Sequence, residues 1–187
     1  MPFPPAHMLI GAGLAEVARS GMRDPLPRWQ AWAVGAGMAA LPDVDIVLGI
    51  ALGKGGSYHG TFTHSLSAVV VWALIGYAVG GERWAAVFGV GYASHLAADL
   101  LDESGPTNLM LGWPFSGQRP YSIGKLFPKV PVEGDGMADT AMNVLQPEPL
   151  MLLAAQTAMA AGFFAVFLLL ARLIRGWRQR VSAPVSG

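Results

Sequence analysis

Cysteine is absent from the 187 residues, which excludes disulfides and thiolate metal sites; a metal here would be held by nitrogen and oxygen alone. Charge is scarce as well. Only 13% of residues are Asp, Glu, Lys or Arg, against about a quarter in soluble domains. The formal net charge is zero, and no basic stretch precedes the C-terminal tail, so nucleic-acid binding has no electrostatic footprint. The start "MPFPPAHMLIGAGLAEVARSG" lacks the positive charge that opens a signal peptide and carries Glu16 within its apolar stretch. It reads as part of the mature protein.

What is abundant is apolar surface. Hydrophobic residues make up 53% of the chain, and the mean hydropathy is +0.44. Four stretches reach the roughly 17–25 residues needed to cross a bilayer: about Trp29–Leu52, His64–Gly80, Trp84–Leu101 and Leu150–Ile174. A shorter helix, about Ala6–Ala18, precedes them and is expected to be tilted, partly buried in the bundle or re-entrant. "GFFAVFLLLARLI" has no polar face to offer water, which argues against a soluble core helix. The expected fold class is all-α: a polytopic membrane bundle of four to five transmembrane helices in one domain. A long outer segment, about 102–149, precedes a C-terminal anchor helix, about 150–175. That segment is rich in Pro and Gly and reads as a lid, a binding loop or a disordered stretch.

Arginines orient the bundle. Arg172, Arg175, Arg178 and Arg180 place the C-terminus in the cytoplasm. Counting backwards, Arg83 lies inside, as do Arg19, Arg23 and Arg28, while Lys54, Arg119, Lys125 and Lys129 lie outside. Under this topology the four histidines, His7, His59, His64 and His95, all collect at the outer face. Carboxylates join them. "LPDVDI" puts Asp43 and Asp45 in the outer half of the first long span, beside the helix-breaking Pro42. "SHLAADLLD" sets His95 and Asp99 four apart on one helix face, with Asp102 further along the same stripe. In "YHGTFTHSL", Thr61 or Thr63 is the expected N-cap, His64 falls in the first turn, and the threonines can bond the outer shell of a metal complex. Each residue alone has a plainer reading: an interfacial histidine, a capping Asp43, an Asp45 paired with arginine, a structural His95–Asp99 bond. Their joint placement in a charge-poor chain favours a functional cluster.

The ordered set "AHMLIGAGLA", "LPDVDI", "HGTFTHSL", "GYASHLAADLL" and "WPFSG" resembles the inner-membrane metal-dependent hydrolase family of the YdjM type, a small multi-span family associated with the bacterial SOS regulon. The resemblance covers about the first two-thirds of the chain. It implies metal-dependent hydrolysis and carries onto His7, Asp43, Asp45, His59, His64, His95 and Asp99. The pattern also shares a chemical likeness with zinc-dependent phospholipase C.

Seven nitrogen and oxygen candidates exceed the needs of one tetrahedral zinc, so two ions bridged by Asp43 or Asp45 would use them better. Zinc is the expected metal, with manganese or iron also suited to mixed His and Asp donors. Asp102, or whichever of Asp43 and Asp45 does not bridge, is the expected general base. Membrane lipids are the expected surroundings. The expected substrate is amphiphilic, a phospholipid or related ester or phosphoester, with its phosphate held by Arg119, Lys125 or Lys129. Trp113 and Phe115 read as interfacial anchors. A metal permease or a scaffold with a structural metal are the rivals. A permease usually carries internal repeats and a midplane site, and a structural zinc site closes with four ligands.

Overall fold

The computed structural model describes residues 2–54, 59–102, 109–117, 123–131 and 142–182. Its main helices are α1 (Pro4–Gly21), α2 (Arg28–Ala40), α3 (Val44–Ala51), α4 (Leu66–Gly80), α5 (Glu82–Asp99) and α6 (Pro147–Ser182). Among the described residues there is no strand, only an isolated bridge between Asp102 and Phe127.

Helix α1 is the hub and packs against α2, α5 and α6. Pro4 opens it, where a fixed φ costs nothing because the first N–H groups lack partners anyway. Its buried residues are mostly small: Ala6, Gly11, Ala12, Gly13 and Ala15. Small residues let helix axes approach closely where lipid offers no hydrophobic driving force. A Cβ on Gly11 would stand 2.5 Å from the Ala39 Cβ, and one on Gly35 would stand 2.5 Å from the Ala15 Cβ. A Cβ on Gly91 would meet the Gly35 carbonyl at 2.9 Å. Helices α1, α2 and α5 therefore touch backbone to backbone. The short first helix of the sequence reading is the buried centre of the bundle.

Pro42 interrupts the first long apolar stretch, because it can donate no backbone hydrogen bond and its ring crowds the preceding turn. The chain passes through a 3-10 turn at Leu41–Asp43 before α3 resumes. Helices α4 and α5 join through Gly81, whose φ of 76° is one that glycine adopts freely. Helix α4 turns Leu66, Val70, Val71, Leu74 and Val79 outward, each more than half exposed.

Two segments are long and apolar enough to cross a bilayer, Arg28–Gly49 and Pro147–Ser182. Helix α4 is apolar but has 15 residues, about 22 Å of rise. Helix α5 spans 18 residues but buries His95 and Asp99 in its last turns. The cap of α4 is also corrected. Ser65 is the N-cap and accepts from the Ala68 amide, while His64 lies in the preceding 3-10 turn, Phe62–His64. Neither Thr61 nor Thr63 caps α4.

The described parts of the outer segment are pinned to the end of the bundle that carries the histidines. Met110 donates to the Gly60 carbonyl, Leu66 to Leu111, and Leu126 and Phe127 to Leu101. Leu109 and Phe127 are buried. Gln156 of α6 bonds the Phe3 amide at 2.8 Å and the Pro128 carbonyl at 2.7 Å, tying α1, α6 and the outer segment together.

Candidate metal centre

Four elements bring donors to one buried point: His7 from α1, Asp43 from the Pro42 turn, His64 from the second 3-10 turn, and His95 with Asp99 from α5. His7, His64, His95 and Asp99 are fully buried, and the Asp43 side chain is 13% exposed.

The proton positions follow from the partners. His95 Nδ1 lies 2.7 Å from the Ala39 carbonyl, a group that only accepts, so Nδ1 carries the proton. This carbonyl lies in the last turn of α2, which ends at Ala40 and gives way to the 3-10 turn at Leu41–Asp43. His64 Nδ1 faces Asp45 Oδ2 at 3.1 Å and Thr63 Oγ1 at 2.9 Å. The Thr63 hydroxyl donates to Asp45 Oδ2 at 2.5 Å, so its oxygen can accept from His64. Both imidazoles thus direct the bare lone pair of Nε2 inward, and the two Nε2 atoms stand 3.0 Å apart. Two facing lone pairs repel unless a cation or a shared proton lies between them.

The carboxylates complete the shell. Asp99 Oδ2 lies 3.2 Å from His95 Nε2 and 3.6 Å from His64 Nε2. Asp43 Oδ1 lies 3.6 Å and 3.8 Å from the same two nitrogens. The corners of a tetrahedron around zinc, with ligands about 2.0–2.1 Å out, are roughly 3.3–3.4 Å apart. The observed separations bracket that value. The other Asp99 oxygen, Oδ1, faces His7 Nε2 at 3.4 Å, and the His7 ring stacks on His95 at 3.9 Å between centroids.

Hydrogen bonds do not satisfy these groups. Both His7 nitrogens, Asp43 Oδ1 and both Asp99 oxygens are buried without a hydrogen-bond partner among the described residues. Leaving a buried polar atom unmade costs about 1–3 kcal/mol, so five such atoms cost roughly as much as the whole stability of a domain, about 5–15 kcal/mol. A divalent cation would satisfy these atoms together, since imidazole nitrogens and carboxylate oxygens are the donors such an ion takes. The donor set therefore fits a metal ion. Two groups of three meet the spacing a shared ion requires: His7, His95 and Asp99, and Asp43, His59 and His64.

A family model described as YdjM inner membrane protein matches residues 1–180. The chain belongs to this family. No curated protein and no solved structure matches it. The YdjM family is one of inner-membrane proteins, in keeping with the two bilayer-length apolar segments and the lipid-like outer faces of α4 and α6.

The remaining expected residues take distinct places. His59 Nδ1 contacts Asp45 Oδ1 at 2.9 Å, and its ring is 21% exposed. Asp45 was an expected bridge between ions, but its two oxygens are occupied by His59, Thr63 and His64. It stands behind the ligands, in the position of a carboxylate that fixes imidazole orientation in metal sites. Asp102 is buried just past the end of α5, where its amide bonds the Asp99 carbonyl. It belongs to neither group of three. Arg119 lies outside the described residues, and Lys125 and Lys129 are exposed on the outer segment.

Sequence reading missed two supports. Tyr92, one helical turn before His95, donates to the Thr63 carbonyl at 2.7 Å and fixes the loop that carries His64. The Ala39 carbonyl has no signature in a sequence beyond the proline that follows it.

Beside the cluster lies a cavity of about 370 Å³ between α3, α4 and α5, walled by Val44, Leu48, Ala68, Val71 and Trp72, with Asp45 and Thr63 on its lining and Trp113 also lining it.

Proposed function

We propose that this chain is a membrane-bound metal-dependent hydrolase that cleaves an ester or phosphoester of a lipid-like substrate. The observation that carries the reading is the pair of inward Nε2 lone pairs 3.0 Å apart, enclosed by the carboxylates of Asp43 and Asp99. A bound divalent ion supplies a Lewis acid for the ester oxygen and makes water nucleophilic near neutral pH. Zinc suits the imidazole-rich set best, with manganese or iron as rivals.

The residues divide the work. His64, His95, Asp43 and Asp99 form the main nest. Asp99 presents its second oxygen to His7, so if two ions are held, Asp99, rather than Asp43 or Asp45, would be the carboxylate placed to serve both. Asp45 holds His64 and His59 in their tautomers. Asp43 and His59 are the exposed members, so substrate meets the cluster from their side, and His59 is the group placed to pass a proton to the leaving oxygen. Asp102 anchors the outer segment. The apolar cavity along α3 and α4 suits an acyl chain.

In the membrane, all of α1, α2–α3, α4, α5 and α6 cross or line the bilayer as a four- to five-span bundle. Arg19, Arg28, Arg175 and Arg178 all sit at the end away from the histidines, which under the positive-inside rule supports a site at the outer face and a cytoplasmic C-terminus.

The test is elemental analysis of detergent-purified protein, wild type against His64→Ala and Asp99→Asn, followed by a panel of phospholipids and phosphodiesters. Stoichiometric metal that both variants lose, with turnover only in the wild type, is expected. Metal-free wild-type protein would mean that the imidazoles share a proton, and would end the hydrolase reading. Metal flux into sealed vesicles without turnover would favour a permease.

A further inference from the structure

The bundle has a second polar centre at its other end. Arg19 lies twelve residues along α1 from His7, about 18 Å at 1.5 Å per residue. There Glu16, fully buried, receives Arg19 through both oxygens at 2.9 Å and 3.0 Å, Arg175 at 2.8 Å and the Trp32 indole at 3.1 Å. Arg28 stands 3.6 Å away. One carboxylate thus faces three guanidinium groups.

Directly beside this network α1, the following loop and α6 border an open cavity of about 300 Å³. Its walls carry Arg19, Arg23, Arg175 and Arg178 and no acidic residue. Arg178 is held in place by the carbonyls of Ser20 and Met22. Arg23 makes no ion pair among the described residues, because neighbouring Asp24 is engaged by Arg83 at 2.7 Å. The local balance is several positive charges in excess, concentrated in a concave site rather than spread over a surface. Guanidinium forks match the oxygens of a phosphate, and a clustered excess of them is stabilised by such an anion.

The neighbouring surface indicates the source of that phosphate. Leu173, Trp177 and Val181 on α6 are each more than 60% exposed, an apolar strip with a tryptophan on the face of α6 turned away from the cavity, which sets this end of the helix at a membrane interface. A basic pocket between membrane helices at the depth of that interface is suited to an anionic lipid headgroup. We propose that the arginine-walled cavity between α1 and α6 binds the phosphate of an anionic phospholipid headgroup. This site is separate from the metal cluster, and the proposal does not depend on hydrolysis.

The probes are phosphatidylglycerol, cardiolipin and phosphatidylcholine, titrated in mixed micelles into delipidated full-length protein and read by thermal shift and native mass spectrometry. The wild type is expected to retain the anionic lipids in preference to phosphatidylcholine. Arg23→Gln breaks no internal bond and is expected to weaken retention about five-fold, the scale for one basic residue at an anionic headgroup. Arg178→Gln is expected to act in the same direction, and Arg180→Gln, which does not line the cavity, is the control. If Arg178→Gln fails to fold, Arg23→Gln decides alone. Equal retention by wild type and Arg23→Gln overturns the site. Displacement by millimolar inorganic phosphate with no preference among the lipids overturns the lipid assignment.

Discussion

Replacing Asp45 by asparagine isolates the orienting role proposed for this carboxylate. The side chain keeps its size, so packing is conserved. What changes is the count of acceptors. The carboxylate serves three groups: His59 Nδ1 at 2.9 Å, Thr63 Oγ1 at 2.5 Å and His64 Nδ1 at 3.1 Å. An asparagine leaves one acceptor oxygen and adds an N–H that must itself find a partner. His64 then loses the group that keeps its proton on Nδ1. Its other tautomer carries the proton on Nε2, where a metal needs a lone pair. Loss of such an orienting partner lowers metal affinity by about 10–100-fold, or roughly 1.4–2.8 kcal/mol at 1.4 kcal/mol per tenfold. The assay is a competition titration of the purified protein against a chelator of known affinity, with Asp99→Asn alongside. Asp45→Asn should still load metal, but weakly, whereas Asp99→Asn removes a direct ligand and should not load stoichiometrically. Wild-type affinity in Asp45→Asn would refute the orienting role. Complete loss of metal would make Asp45 a ligand, against its placement.

Gly35→Ala puts a methyl 2.5 Å from the Ala15 Cβ and 2.6 Å from the Gly11 carbonyl, and overpacking of that kind costs about 1–3 kcal/mol, visible as a lower Tm in detergent. Gln156→Leu strands the Phe3 amide and the Pro128 carbonyl at about 1–3 kcal/mol per unmet buried group; limited proteolysis should then open the outer segment first. Val71→Trp fills the cavity beside the cluster without touching a donor. It should leave metal content unchanged and reduce turnover of long-chain esters more than of short-chain ones.

Much of the architecture was legible because its causes are local. Pro42 announced a break in the first long apolar stretch. The i, i+4 spacing of His95 and Asp99 put both on one face of α5. The candidate ligands were legible for a different reason: a charge-poor chain leaves few places to put histidine and aspartate, and the arginines decided which end they share. What sequence could not give was the division between ligands and supports. Asp43 and Asp45 look equivalent in "LPDVDI", yet two residues in a 3-10 turn followed by a helix turn the side chains to different neighbours, one to the nest and one to the backs of His59 and His64. The number of spans was less legible: two segments have bilayer length, and α5 interrupts its apolar run with buried polar groups whose compensation is tertiary.

The fold and the site share one cause. Gly11, Gly35 and Gly91 each lie four residues from a part of the cluster: His7 on α1, the Ala39 carbonyl on α2 and His95 on α5. One turn is about 5.4 Å, so a layer of glycine contacts lies directly beneath the layer of donors. A Cβ on Gly91 would meet the Gly35 carbonyl at 2.9 Å; a larger residue there would hold α5 away from α2. The 2.7 Å bond from His95 to Ala39 would then open, and with it the constraint that fixes the His95 tautomer. The stacking of His7 on His95 depends on the same approach of α1 to α5. Close helix packing is usually an argument about stability. Here it also sets the donor geometry, since a few tenths of an ångström between backbones decide whether His7, His95 and Asp99 come within reach of one ion.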